Sequence, residues 1–214
     1  MRTLLLLLFL CSSFALLAQD VPADGRTHEF DRIDGVEVSH IYRAYIERGT
    51  TAAVRIEAPP RIREYIRASV SRGVLRLSLD PRANFDDDRF RDVDLVAYVT
   101  LPALNELTVS GAARVEARDV RTDGEVKLSS SGAARLEISG SAPRARITTS
   151  GASQLDANDF RVGQCRAQHS GASSAKLYVT ESIRGQVSGA ASLRYRGNPG
   201  ERDLEVSGAA RVRE

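Results

Sequence analysis

Glu116, Glu137 and Asp156 are the residues of this sequence best spaced for chemistry, because each stands five residues after the glycine of a recurring Ser-Gly-Ala phrase. If the phrases superimpose as neighbouring strands, the three carboxylates form one column about 4.8 Å apart, close enough to repel. A divalent cation such as Ca²⁺ takes oxygen ligands of this kind and would bridge them. The alternative is a salt-laced surface in which Arg114, Arg135 and Arg211, three residues after their own glycines, offset the acids. The second reading is favoured, since exposed rows of charge are usually only solvated faces. Further along, the same column continues as Lys176, Arg194 and Arg213.

Other reactive side chains do not assemble a mechanism. Ser173-x-x-Lys176 has the form used by serine acyl enzymes, but on a strand residues three apart face opposite sides. His28, His40 and His169 share no ligand spacing. His169 falls in an inward column with Val109, Ser130, Thr149, Val187 and Val206, so a buried imidazole bonded to its neighbours' hydroxyls is expected. Cys165, also on the inward phase, reads as an inert core thiol, and the part of the chain after residue 18 offers it no partner for a disulfide. Asp86, Asp87 and Asp88, with Asp92 and Asp94, are interleaved with Arg89 and Arg91 and lack the glycine of a calcium loop. A solvated loop is expected there. The sequence carries no G-x-S-x-G, H-E-x-x-H or G-x-x-x-x-G-K pattern. No catalytic residue and no cofactor are therefore expected.

What must position these side chains is the repeat. The phrase occurs six times, with glycines at 111, 132, 151, 171, 189 and 208. Four residues before each glycine stand Leu107, Leu128, Ile147, Ala167, Gly185 and Leu204; four after it stand Val115, Leu136, Leu155, Ala175, Leu193 and Val212. The positions three after it are polar throughout. Alternation of this kind assigns an apolar inside and a polar outside to extended chain. The period predicts an all-β fold, a β-solenoid (β-helix) of about 19–20 residues per coil. The glycine is placed on the inward phase at a bend with no room for a side chain, and the serine before it is expected to form a ladder of stacked hydroxyls.

The 214 residues include 42% hydrophobic and 27% charged residues but only 6% aromatic and no Trp, so the core must use small aliphatic side chains. A net charge of +2 gives no field for nucleic acid. Residues 1–18 read as a secretory signal peptide cleaved after Ala18, which places the protein outside the cytoplasm, in the periplasm, on the outer surface or secreted. A lipoprotein is not expected, because Leu10 precedes Cys11 where a small residue is required. No transmembrane segment is expected after cleavage. Residues 19–29 read as a flexible lead-in and 107–214 as the repeat. Between them, residues 30–106 have strand starts near 36, 54, 74 and 93, spaced like early coils. Against this, Ile62, Tyr65 and Ile66 have helical spacing after Pro59-Pro60, and residues 84–94 form a charged loop. A distinct N-terminal β-region or cap is the alternative.

Three stretches carry a resemblance: the phrase V-S-G-A-A-x-V, the opening Phe30, Ile33, Val36 and Val38, and VDLVAYVTLPALNELTVSG from Val93 to Gly111. Over residues 30–214 the sequence resembles the auto-transporter adhesin head, or GIN-domain, family of bacterial envelope proteins. The resemblance implies an extracytoplasmic right-handed β-helix with no established activity or catalytic residues. The sequence shows no translocating barrel after the repeats, so transport by this polypeptide is not expected. The expectation is a rigid, non-catalytic interaction or scaffold module at the cell envelope, adhesin-like, whose partner is an envelope protein or a glycan. Two rivals stand beside it: a carbohydrate-active β-helix enzyme, and a structural protein that self-associates through the unpaired edge of its last coil.

Overall fold

The computed structural model describes residues 18–214. The leader expected over residues 1–18, Cys11 included, lies outside the described residues except for Ala18. Seventeen strands follow: β1 (Gln19–Asp20), β2 (Thr27–Phe30), β3 (Gly35–Val38), β4 (Arg43–Arg48), β5 (Ala52–Glu57), β6 (Ile66–Ser71), β7 (Val74–Leu79), β8 (Val96–Leu101), β9 (Glu106–Val109), β10 (Arg114–Arg121), β11 (Glu125–Ser130), β12 (Arg135–Thr149), β13 (Gln154–His169), β14 (Ser174–Val187), β15 (Ser192–Arg196), β16 (Glu201–Val206) and β17 (Arg211–Arg213). All join one hydrogen-bonded sheet that curls into a solenoid. Each coil runs inward along an approach strand, bends at Ser-Gly-Ala, and leaves along an exit strand. In β12, β13 and β14 the exit continues round the far side into the next approach as one strand, its ladder shifting register between Glu137 and Ser139 in β12 and again between Ala157 and Gln164 in β13.

Registration follows the glycine count. Leu107 pairs with Leu128, Leu128 with Ile147, Ile147 with Ala167, and Leu136 lies directly on Leu155. These columns are buried and form one continuous apolar cluster with the N-terminal strands. Each fully covered Leu, Ile or Val contributes about 1.5–3 kcal/mol relative to exposure, and this interior replaces the stabilisation that disulfides would give. The six phrase glycines have φ between +67° and +72°, in the left-handed region. They do not point into the core, as their inward phase suggested; they lie exposed at the bend. Side chains are excluded for another reason. A Cβ at Gly132, Gly151, Gly171, Gly189 or Gly208 would come within 2.7–2.9 Å of the preceding glycine's carbonyl oxygen. That carbonyl accepts from the alanine amide of the next coil at 2.7–2.8 Å. Serine contributes its amide rather than its hydroxyl: each phrase Ser donates its backbone N–H to the coil before it at 2.8–3.0 Å. The hydroxyl ladder is absent among the described residues, where Ser188 Oγ donates only to the His169 carbonyl.

The first coils depart from this plan. β3 and β4 lie between the β9–β10 coil and a layer made of β7 and β8, so the chain enters the stack in its second layer and later returns to build the first. β5 and β6 run antiparallel to β8 and β7, and β2 and β1 add antiparallel strands outside them. The strand near 54 is thus part of a cap and not another coil. Residues 19–29 belong to that cap as well: β1 and β2 pair into the sheet, and Val21 is buried, so no lead-in stands apart from the fold. The spacing of Ile62, Tyr65 and Ile66 becomes a 3-10 turn over Pro60–Tyr65 that buries Ile62.

Candidate interaction face

The exit strands carry the candidate residues on their outward side. Glu116 pairs with Glu137 and Glu137 with Asp156; the column goes on through Lys176, Arg194 and Arg213. The three acids therefore stack as their spacing predicted. Two of them, Glu116 and Asp156, are neutralised by partners other than those expected. Arg118, two residues along on the same face, donates Nε to Glu116 Oε1 at 2.7 Å, and Lys176 Nζ donates to Asp156 Oδ2 at 2.7 Å. Burial pushes the Asp156 carboxyl up, yet Lys176 and the Asn158 amide together hold it below the ordinary carboxylate value. Arg135, expected to offset the acids, instead donates to Gln154 Oε1 at 2.9 Å. The acids line a shallow hollow of about 380 Å³ with Arg118, Asn158 and Asp159. Among the described residues no group of three His, Cys, Asp or Glu side chains converges as a metal site would need.

Arg114 and Arg135 are adjacent in the neighbouring column, beside Glu116 and Glu137. Arg211 belongs to the same column but lies four strands from Arg135, roughly 19 Å away at 4.8 Å per strand. The structure thus brings four of the five expected surface residues together and leaves Arg211 at the far end. It also adds residues that spacing alone had not revealed. Arg43 stacks on Arg114, and Tyr45 on Glu116, with Tyr98 beyond Tyr45. The two tyrosine rings stack at 5.6 Å, and Arg55 lies 4.2 Å over the Tyr98 ring. The signal was present as a disguised copy of the phrase, Val38-Ser39-His40-Ile41-Tyr42-Arg43, in which histidine stands for glycine. His40 keeps the turn, with φ at +64°, and its carbonyl accepts from Ala112 at 2.7 Å.

The remaining candidates are structural. His169 is buried, its Nδ1 bonded to Thr149 Oγ1, which in turn donates to Ser173 Oγ at 3.0 Å. Burial lowers its pKa to about 4, so the imidazole is neutral. Ser173 is enclosed in this network while Lys176 reaches out to Asp156, so the serine–lysine pattern is not a catalytic pair. Cys165 is buried and its thiol pushed up to about 12 by desolvation. In the acidic loop Asp87 caps the short 3-10 turn Asp88–Phe90 by accepting from the Arg89 amide, and Asp88 and Asp94 pair with Arg91 and Arg43.

A repeat whose glycine turn stacks coil on coil, capped at its start by antiparallel strands, is one side of the comparison with known proteins. Residues 32–199 match the family described as "Putative auto-transporter adhesin, head GIN domain". The chain belongs to this family. The GIN-domain match takes in the disguised His40 turn as well as the first five glycine turns, which agrees with their shared geometry. A solved structure of a "putative adhesin" from Bacteroides fragilis NCTC 9343 is similar over 88% of this chain and 94% of its own, at 20% identity and a TM-score of 0.69. A "putative lipid binding protein" from Parabacteroides distasonis ATCC 8503 covers the same shares at 13% identity and a TM-score of 0.53. At these identities the likeness is one of fold. None of the curated proteins matches the chain. Among the described residues no helix is long and apolar enough to cross a membrane.

Proposed function

We propose that the protein is a non-catalytic, extracytoplasmic interaction module of the cell envelope, adhesin-like, that meets a glycan or a protein partner through the outward face of β8, β4, β10 and the first half of β12. The observation that carries this reading is the face itself: Arg43, Arg114 and Arg135 stand in one straight column beside Tyr98, Tyr45, Glu116 and Glu137 in the next. Rigid strands hold donors, acceptors and rings at a fixed repeat, which lowers the ordering cost of meeting an extended partner. The hollows along it are shallow, and His169, Ser173 and Cys165 are buried away from it, which disfavours a carbohydrate-active enzyme. The leader-like first residues and the family's name support export.

Purified protein tested against envelope glycans and envelope extract should bind one class of partner, and Arg114→Glu with Arg135→Glu should weaken that binding at least about 10-fold, as expected for central charged contacts. Unchanged binding in that double variant would remove this face from consideration. Turnover of a polysaccharide by the wild-type protein would replace the reading with the enzymatic one.

A further inference from the structure

The two ends of the solenoid are finished differently. At the start, antiparallel β1, β2, β5 and β6 cover the first layer. At the other end, among the described residues, nothing pairs with the outer side of β16 and β17. In every earlier coil the carbonyls of the turn glycine and of the inward residues on either side of it, such as Gly189 with Val187 and Ala191, accept amides of the next coil. Among the described residues the matching carbonyls of Val206, Gly208 and Ala210 have no such donor. Val206 is 50% exposed, whereas Val187 beneath it is fully buried. Leu204, Ala210 and Val212 are likewise only partly covered.

The residues around Gly208 read Arg202-Asp203-Leu204-Glu205-Val206-Ser207-Gly208-Ala209-Ala210-Arg211-Val212-Arg213-Glu214. A two-fold axis through the bend at Gly208 would lay β16 of one copy antiparallel on β17 of another, setting residues equally far before and after the glycine against each other. Glu205 then faces Arg211, Asp203 faces Arg213, and Arg202 faces Glu214. Inside, Val206 meets Ala210 and Leu204 meets Val212. Parity agrees: inward residues meet inward residues, and these are the ones whose backbone groups point to the open edge, as an antiparallel ladder requires. No earlier coil has this property. Around Gly189 the axis would oppose Arg184 to Arg194, around Gly171 Arg166 to Lys176, and around Gly111 Glu106 to Glu116. Gly132 and Gly151 have one opposed pair each, Lys127 with Glu137 and Arg146 with Asp156, but no charge pair three residues out. Within one chain Asp203, Arg211 and Arg213 are in no ion pair among the described residues, while Arg202 bonds Glu214 at 3.1 Å.

We propose that the last coil is the interface of a two-fold dimer, a second copy of this chain closing the open edge by antiparallel pairing of β16 with β17. A symmetric contact of this kind is self-complementary and closes on itself, and the capped first layer prevents growth into a filament. The interface lies at the opposite end of the rod from the Tyr98–Glu137 face, so it stands independently of the proposed ligand. One coil end is small, which predicts association in the micromolar range or weaker.

Sedimentation equilibrium of residues 19–214 from about 1 µM to about 1 mM should show monomer and dimer and no larger species. Arg211→Glu with Arg213→Glu, and separately Asp203→Arg with Glu205→Arg, should each weaken the dimer at least about 10-fold, and an equal mixture of the two should recover it, because one chain is then acidic on both strands and the other basic on both. All four positions are exposed, so folding should be unaffected by far-UV circular dichroism. Val206→Asp, at a half-exposed site, should give the same loss without reversing a pair. A wild type that stays monomeric throughout, larger polymers, or a mixture that fails to recover would each overturn the proposal.

Discussion

In the repeat coils the turn is built from glycine, alanine and a second alanine or serine, whereas in the β3–β4 layer the same turn is built from His40, Ile41 and Tyr42. The backbone is nearly identical, since His40 at φ +64° sits where the glycines have +67° to +72°. The difference lies underneath. Below each repeat glycine is another turn, whose carbonyl, from Gly132 onwards, occupies the space a Cβ would need. Below His40 the chain departs at Leu79 into the 80–95 loop, and no backbone hydrogen bond joins Ile41 to that layer among the described residues. His40 finds other contacts: its ring bonds Ser39 Oγ at 2.8 Å and stacks on Phe85 at 6.0 Å. The interior differs too. Tyr42 fills a space that Ala113, Ala134 and Ala191 leave to their larger neighbours. Repetition therefore constrains the turn only where coil follows coil, and bulk is admitted where the succession stops.

The sharpest way to break this comparison is to give the first layer the repeat's own residue. Tyr42→Ala should cost about 3–5 kcal/mol in urea unfolding, because a fully buried ring leaves a cavity that neighbouring strands cannot close. Tyr42→Phe should cost almost nothing or stabilise, since the hydroxyl is buried without a partner among the described residues. A loss below about 1 kcal/mol in Tyr42→Ala would mean that the first layer is packed like the others.

The repeat's register was legible because six glycines fixed the phase, and period-2 alternation then assigned every inward column from Leu107 to Val212. The stacking of Glu116 on Glu137 on Asp156 followed from that count alone. What the count missed had a local cause each time. The glycine's parity placed it inside because parity presumes extended chain, and a left-handed turn breaks the alternation for one residue. The disguised turn at His40 was hidden because histidine can take positive φ at a modest cost where no carbonyl blocks it. The choice between early coils and a cap stayed open because spacing reports strand length and not strand direction, so β5 looked like β4. The partner of Glu116 does not follow from the count because Arg118 lies at i+2 on the same strand face, outside the column that the glycines align.

The polar cluster inside the repeat gives a second contrast, since among the described residues the first layers bury no comparable titratable base. His169 has a pKa lowered to about 4 by burial, against an ordinary value of 6.5. The unfolded chain takes up a proton near pH 6.5 and the folded chain only near pH 4, so stability is complete above the first value and falls as the pH drops towards the second. The loss reaches about 3 kcal/mol at 1.36 kcal/mol per pH unit. His169→Val, which continues the column of Val187, should flatten the urea midpoint between pH 6.5 and 4. The loss below pH 4 should remain, because Asp80 and Asp156, held low by Arg82 and Lys176, are protonated only there. A wild-type midpoint that did not change between pH 6.5 and 4 would show that this imidazole is not held neutral by the fold.

The smallest expected effect tests the turn itself. Gly151→Ala forces a side chain into φ +67° and places its Cβ 2.8 Å from the Gly132 oxygen, for a loss of about 2 kcal/mol. His40→Gly is the reverse exchange in the layer where the space is free. It removes the strain of a left-handed histidine, of order 1 kcal/mol, and it also removes the Ser39 bond and the Phe85 stack, which are of similar size. The two terms oppose, so the net change in urea unfolding should lie within about 1 kcal/mol of zero. If His40→Gly were as costly as Gly151→Ala, the histidine would be a packing anchor rather than a tolerated occupant of the turn. If Gly151→Ala were neutral, the carbonyl beneath the turn would not be what keeps the glycines from Gly132 onwards in place.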